Sequence, residues 1–211
     1  MTRLKPLLSL TLCLAAVACS GARPAAAPAP GSAQGPYDLL IRNGMIVDGT
    51  GSPWYRGDVA VRGDRIAAVG QLRTAQARDT MDATGLVVSP GWIDMLGHSE
   101  YPLLANGRAV SKITQGITSE ITGEVTSVVP VNANTLRELG PATRQRVTWT
   151  DLDGYFRALE AARPAINLGT FVTVGSVRRY VMGDADRAPT PVELDTMRAL
   201  VAAAMEDGAM G

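Results

Sequence analysis

The sequence holds a single histidine, His98, and only two cysteines, Cys13 and Cys19. Both cysteines stand within the first nineteen positions, so the body of the chain has no thiolate to bind a metal, attack a substrate or close a disulfide. A serine nucleophile at Ser99 would have no histidine base after it in this sequence, which argues against a serine triad there. Neither sign of charge dominates: Lys+Arg and Asp+Glu each count 20. A balanced charge argues against nucleic acid as the main partner, which selects for a basic face. Hydrophobic residues at 46% and charged residues at 19% are a globular rather than a disordered balance.

The one mostly apolar stretch of any length runs from Leu7 to Ala18, after Arg3 and Lys5. It is too short for a comfortable bilayer span and has the layout of an export signal. Ala16-Val17-Ala18 fits the small-x-small cleavage rule, and Cys19 follows. This resembles a bacterial lipoprotein leader. The resemblance implies a signal peptide over 1–18, lipidation of Cys19, and a protein exported to the periplasm or anchored to a membrane through that lipid; plain export is the alternative. Residues 19–36, rich in Ala, Pro and Gly, read as a tether without apolar bulk to pack.

From Tyr37 the texture becomes that of strands. "DLLIRNGMIVDGTG" carries apolar residues on both sides of Asn43-Gly44, a pair suited to a two-residue hairpin turn. "GDVAVRGDRIAAVG" repeats the pattern around Arg62-Gly63-Asp64, and Leu86 to Val88 gives a further strand. Residues 37–88 are therefore expected to form a small antiparallel β unit.

After Pro90 strands alternate with helices. Gly91 to Leu96 is expected as a buried strand, Arg108 to Gln115 as a short helix, Ile117 to Thr122 as a strand. Thr150 is expected to cap a helix burying Leu152, Tyr155, Phe156 and Leu159. Ile166 to Val174 follows as a strand. Thr190-Pro191-Val192-Glu193 is a capping box opening a helix with a stripe of Leu194, Met197, Val201, Ala204 and Met205, ended by Gly208. The β-α-β-α-β-α order predicts a parallel sheet. A closed (β/α)8 barrel takes about 250 residues, and residues 89–211 suffice for three or four of its units.

The chemistry-bearing stretch is "SPGWIDMLGHSE", residues 89–100. In a strand, positions i and i+2 share a face, which would align Asp94, Leu96 and His98 at the strand's C-terminal end. Barrel enzymes build their sites there. His98 is either a metal or substrate ligand or a hydrogen-bonded strand-end residue, and Asp94 reads as a structural acceptor. Gly97-His98-Ser99-Glu100-Tyr101 starts like a nucleophile elbow, but Tyr101 replaces the glycine that permits the strained turn. "DGTG", residues 48–51, lacks the lysine and helix of a phosphate loop and reads as a turn.

"YDLLIRNGMIVDGTGSPWYRGDVAVRGDRIAAVGQL", "VVSPGWIDMLGH", "SKITQGITSEITGE" and "APTPVELDTMRALVAAAMEDGAMG" together resemble the amidohydrolase superfamily, more narrowly the N-acyl-D-amino-acid deacylase (D-aminoacylase) family. The resemblance covers nearly all of residues 37–211 and implies an α/β fold: a small β-sandwich portion over 37–88, then the first strands of an incomplete (β/α)8 barrel over 89–211. It implies hydrolysis of a non-peptide C–N bond in an N-acyl amino acid or related amide, with a divalent metal, zinc by family, polarising the carbonyl and activating water. The family's His-x-His falls on Leu96 and His98, so only the second ligand is kept. Its Asn-Cys-Gly falls on Glu124, Val125 and Thr126, so the cysteine ligand becomes Val125 and Glu124 stands one residue early. A one-residue offset along a strand would turn that carboxylate away from the site, and a bend at Gly123 would turn it back, so Glu124 is either a replacement ligand or an ordinary buried or solvated polar residue. The implied metal residues are thus His98 and Glu124; no catalytic residue is assigned, since the family's other histidines and its aspartate are expected on later strands. Glu120 matches no functional position and reads as structural. The losses at Leu96 and Val125 leave a second expectation open, a non-catalytic binding protein on the same scaffold.

Overall fold

The computed structural model describes residues 36–211. The leader, the tether and Cys19 lie outside the described residues.

The first half is one mixed sheet of five strands: β1 (Tyr37–Ile46), β2 (Tyr55–Arg62), β3 (Arg65–Gly70), β4 (Ala77–Asp82) and β5 (Val87–Val88). Strand order is β3-β2-β1-β4, with β5 also on β1. The β1–β2 and β2–β3 pairs are antiparallel. The expected all-antiparallel unit is corrected by β4 and β5, which both run parallel to β1 along its other edge. β4 was not anticipated, because "ARDTMD" is almost wholly exposed and has no apolar alternation to read.

Asn43-Gly44 is not a hairpin turn. β1 runs through it, and the pairing with β2 slips there, from Ile41 opposite Val59 to Gly44 opposite Gly57. Asn43 is the extra residue of a β-bulge, with φ +63°. Its preference for the left-handed region was the correct signal, expressed as a bulge. The displaced Asn43 N–H donates to Asp58 Oδ1 at 2.9 Å, and the side chain donates to Asp82 Oδ1 at 3.0 Å. Leu40, Ile46, Val59, Ala60 and Ala83 are the buried apolar residues of this half.

The second half contains a three-stranded parallel sheet ordered β6 (Trp92–Asp94), β7 (Ile117–Thr122), β8 (Asn167–Thr170). Between β6 and β7 lie α1 (Glu100–Ala105) and α2 (Val110–Ile113). Between β7 and β8 lie α3 (Ala133–Leu136), α4 (Pro141–Arg144) and α5 (Leu152–Ala162). α6 (Val174–Met182) and α7 (Pro191–Glu206) follow. The parallel sheet and β7 are as expected. β6 is shorter than expected and not buried: Trp92, Ile93, Met95 and Leu96 are all exposed. β8 ends at Thr170, and the Val-Thr-Val stretch that reads as strand instead opens α6 behind Thr173, whose hydroxyl donates to Gly123 O at 2.6 Å.

The core forms where helices cross the sheet. Tyr155, Leu152 and Leu159 of α5 pack with Leu103, Val128, Trp149, Ile166, Val177 and Ala204. The Trp149 indole donates to Val128 O at 3.0 Å and the Tyr155 hydroxyl to Glu100 O at 3.1 Å, so both polar tips are satisfied inside. The cap of α5 is Asp151, one residue later than expected; its Oδ1 accepts from Gly154 N at 2.8 Å. The capping box of α7 forms as read, with Thr190 and Glu193 exchanging hydrogen bonds. The buried stripe of α7 is narrower than expected. Met197, Leu200, Val201 and Ala204 face the core at helical spacing, while Leu194 and Met205 stay exposed.

Candidate active site

The sequence-derived candidates follow the C-terminal ends of the neighbouring strands β6 and β7. β6 stops at Asp94, so the alternation of a strand does not reach Leu96 or His98. His98 sits instead on a loop between β6 and α1, exposed. Three backbone constraints hold that loop. Gly97 N–H donates to Ile121 O at 2.9 Å, Ser99 N–H donates to the Glu120 carboxylate at 2.9 Å, and Leu96 N–H donates to Asp94 Oδ1 at 3.2 Å. Asp94 is the structural acceptor expected of it.

Glu120, from the middle of β7, has no exposed surface. It lies under Gly97 so closely that a Cβ added there would fall 1.9 Å from Glu120 Oε1. Its other oxygen is 3.5 Å from Lys112 Nζ, and that ammonium lies 2.5 Å from Asp94 Oδ2. Hydrogen bonding from Lys112 holds the Asp94 carboxyl below its ordinary range, and the same bond raises the Lys112 ammonium.

Glu124 follows Gly123, whose φ of +91° supplies the bend that returns the chain inward. A side chain at 123 would meet Phe171 O at 2.5 Å, so glycine is required by space as well as by conformation. Both Glu124 carboxylate oxygens are shielded from solvent without a hydrogen-bond partner, an arrangement that normally marks a missing cation or donor. Glu100, buried at the start of α1, completes the cluster. Burial pushes its carboxyl up, and it feels the charges of His98, Glu120 and Glu124. Glu100, Glu120 and Lys112 were not singled out from sequence as site residues; a glutamate in mid-strand, "ITSEIT", was the available signal.

The side chains at the two altered positions point into the open. Leu96 is 63% exposed and Val125 68%. Among the described residues no three of His, Cys, Asp and Glu gather so as to hold a metal ion. His98 and Glu124 are two donors, fewer than the three protein ligands of a zinc site, so these residues alone do not fit the ion. A cavity of about 170 Å³ opens next to both loops, with Tyr101 after His98, and Thr126, Ser127 and Val128 after Glu124, in its lining.

The architecture has close counterparts. A D-aminoacylase of Alcaligenes xylosoxydans xylosoxydans is 39% identical over 184 residues, 83% of this chain and 37% of that protein. The N-acyl-D-glutamate deacylase of the same organism is 37% identical over 177 residues. The chain belongs to the D-aminoacylase family of amidohydrolases. The crystal structure of D-aminoacylase, described as defining a novel subset of amidohydrolases, superposes with a TM-score of 0.71 at 37% identity. That of N-acyl-D-glutamate deacylase from Bordetella bronchiseptica, complexed with zinc and a phosphonate mimic of the tetrahedral intermediate, superposes at 0.73 and covers 84% of this chain. No protein-family model matches. The chain spans 36–38% of the length of these D-aminoacylase-family relatives. A binuclear metal centre is a feature of D-aminoacylase.

Proposed function

We propose that this chain serves a metal-dependent deacylase that hydrolyses the amide C–N bond of an N-acyl-D-amino acid or a related small amide. In this reading residues 37–88 are the sandwich portion and residues 89–211 the opening strands of the (β/α)8 barrel. The exposed apolar residues Ile66, Val69, Met81 and Val87 of the first sheet support a covering layer there. Cys19, lipidated, tethers the protein to a membrane. The observation that carries the reading is the Glu124 carboxylate just past β7, both of whose oxygens are buried without a hydrogen-bond partner. His98 and Glu124 are assigned as the ligands this chain contributes to a divalent metal, zinc by family, and further donors must come from elsewhere. The 211-residue chain is inactive on its own.

The test is zinc titration by calorimetry together with release of free D-amino acid from a panel of N-acetyl-D-amino acids. Weak zinc uptake, lost in both His98→Ala and Glu124→Gln, with no turnover, is the expected result. Zinc uptake unchanged in both variants would remove the ligand assignment. Turnover by the chain alone, abolished by His98→Ala, would show a complete site and overturn the claim of inactivity.

A second reading has its own observation. Leu96 and Val125, apolar and solvent-facing, replace the two family ligands, which suits a non-catalytic binding protein. Binding of an N-acyl-D-amino acid with no dependence on zinc would favour it.

A further inference from the structure

We infer that Glu120, with Lys112 as its counter-ion, is the positioning residue that sets the Gly97–Ser99 turn and thereby aims His98. The inference rests on the reading of His98 as a site residue, and it adds what holds it there.

The argument begins with burial. A glutamate with no exposed surface in mid-strand is a costly residue, because a carboxylate leaves water only when charge and hydrogen bonds replace it. If Glu120 merely filled space, an apolar side chain would serve better. Its two oxygens are instead divided between two tasks. Oε1 accepts the Ser99 N–H at 2.9 Å. Oε2 accepts no hydrogen bond and faces Lys112 Nζ at 3.5 Å. The ammonium is held from the other side by Asp94 Oδ2 at 2.5 Å. Asp94 ends β6, Lys112 comes from α2 and Glu120 from β7, so one ionic chain ties together the three elements that surround the loop.

The loop is shaped to receive this carboxylate. Gly97 has no side chain where a Cβ would sit 1.9 Å from Oε1. Gly97 N–H bonds to Ile121 O and Ser99 N–H to Glu120. The residues immediately before and after His98 are therefore both tied to adjacent residues of β7, and His98 stands between two pinned N–H groups. The imidazole makes none of these contacts, so it stays available to a ligand.

The single histidine makes the test direct, because one imidazole Cε1–H cross-peak reports the loop. The wild-type chain should show one sharp peak. Glu120→Gln, which keeps an acceptor for Ser99, should leave it near its wild-type position. Glu120→Ala should broaden it or move it toward the unfolded value, while the buried Trp149 indole N–H peak stays in place. Lys112→Met, which strands a buried carboxylate, should also displace the His98 peak and lower the thermal midpoint by about 5 °C. The double variant Lys112→Met/Glu120→Gln should recover both the peak and most of the midpoint. A His98 peak unmoved by Glu120→Ala overturns the inference. If Glu120→Ala loses the Trp149 peak as well, the pair of Lys112 variants decides: a double variant no better than Lys112→Met alone overturns it. The zinc titration is a separate readout. Recovery of the His98 peak without any zinc uptake would leave the turn assignment standing and remove the metal reading, and zinc uptake with an unmoved peak would do the reverse.

Discussion

The two sheets treat a buried carboxylate in opposite ways. In the first, Asp58 is 6% exposed and fully occupied: it accepts the Asn43 N–H that the β-bulge displaces and the Leu72 N–H at 3.0 Å, with the Arg42 guanidinium 4.0 Å away. In the second, Glu120 has one oxygen without a hydrogen bond and Glu124 has two. Buried carboxylates that satisfy displaced backbone groups are structure. Glu120 is intermediate, with one oxygen on the Ser99 N–H and the other facing Lys112 at 3.5 Å, whereas a carboxylate with both oxygens buried and unpartnered, as at Glu124, is stability given up.

Four substitutions break or sharpen this contrast. The largest effect is expected at Asp58→Ala, which leaves two backbone N–H groups unpaired and should remove about 3 kcal/mol in a denaturant titration. Loss of less than about 1 kcal/mol would make the bulge self-supporting. Next is Leu96→His, which would supply the first histidine that the family resemblance implies and, on the proposed metal reading, should tighten zinc binding roughly 10-fold. An unchanged affinity would mean that the shortened β6 cannot bring position 96 to the ion. Glu124→Gln should act opposite to Asp58→Ala: removing a charge that has no partner should raise stability by about 1 kcal/mol, seen as a higher thermal midpoint. A fall would reveal a donor to Glu124 and weaken the comparison. The smallest effect is the pH dependence of the Asp94–Lys112 pair. Asp94 is held below its ordinary value of 3.8, so its contribution is present above that pH and is lost as pH falls through the depressed folded value. Lys112 is held above 10.5, so its contribution is present below that pH and is lost as pH rises through the raised folded value. Comparing wild type with Lys112→Met at both extremes should show a difference on the order of 1 kcal/mol at neutral pH that shrinks toward either end. A difference constant with pH would mean that Lys112 acts by packing alone.

Local signals carried well where the local physics decides. β7, the Thr190–Glu193 capping box and the glycine stop at Gly208, with φ +106°, are set by neighbours in the sequence, and each stands where the residues indicate. Resemblance carried the family, because 37–39% identity preserves enough of the motifs to quote. Other features failed locally for identifiable reasons. Asn43-Gly44 has the φ preference of a turn, but pairing on both sides drew it into one strand as a bulge. Val172-Thr173-Val174 has strand propensity, yet it turns into α6 as the Thr173 hydroxyl reaches Gly123 O.

The sequence by itself determined the single imidazole, the absence of a thiol in the body, and the alternation of strands and helices after Pro90. These are matters of composition and of contacts within a few residues. Only the tertiary structure decided that β6 ends at Asp94, so that His98 stands on a loop rather than a strand face. It alone decided that Gly123 turns Glu124 inward and that Glu120, Lys112 and Asp94 meet. Those facts depend on groups from separate elements coming within 4 Å of each other. No sequence pattern encodes that proximity, because ionic and hydrogen-bond energies follow the distance in space and not the separation along the chain.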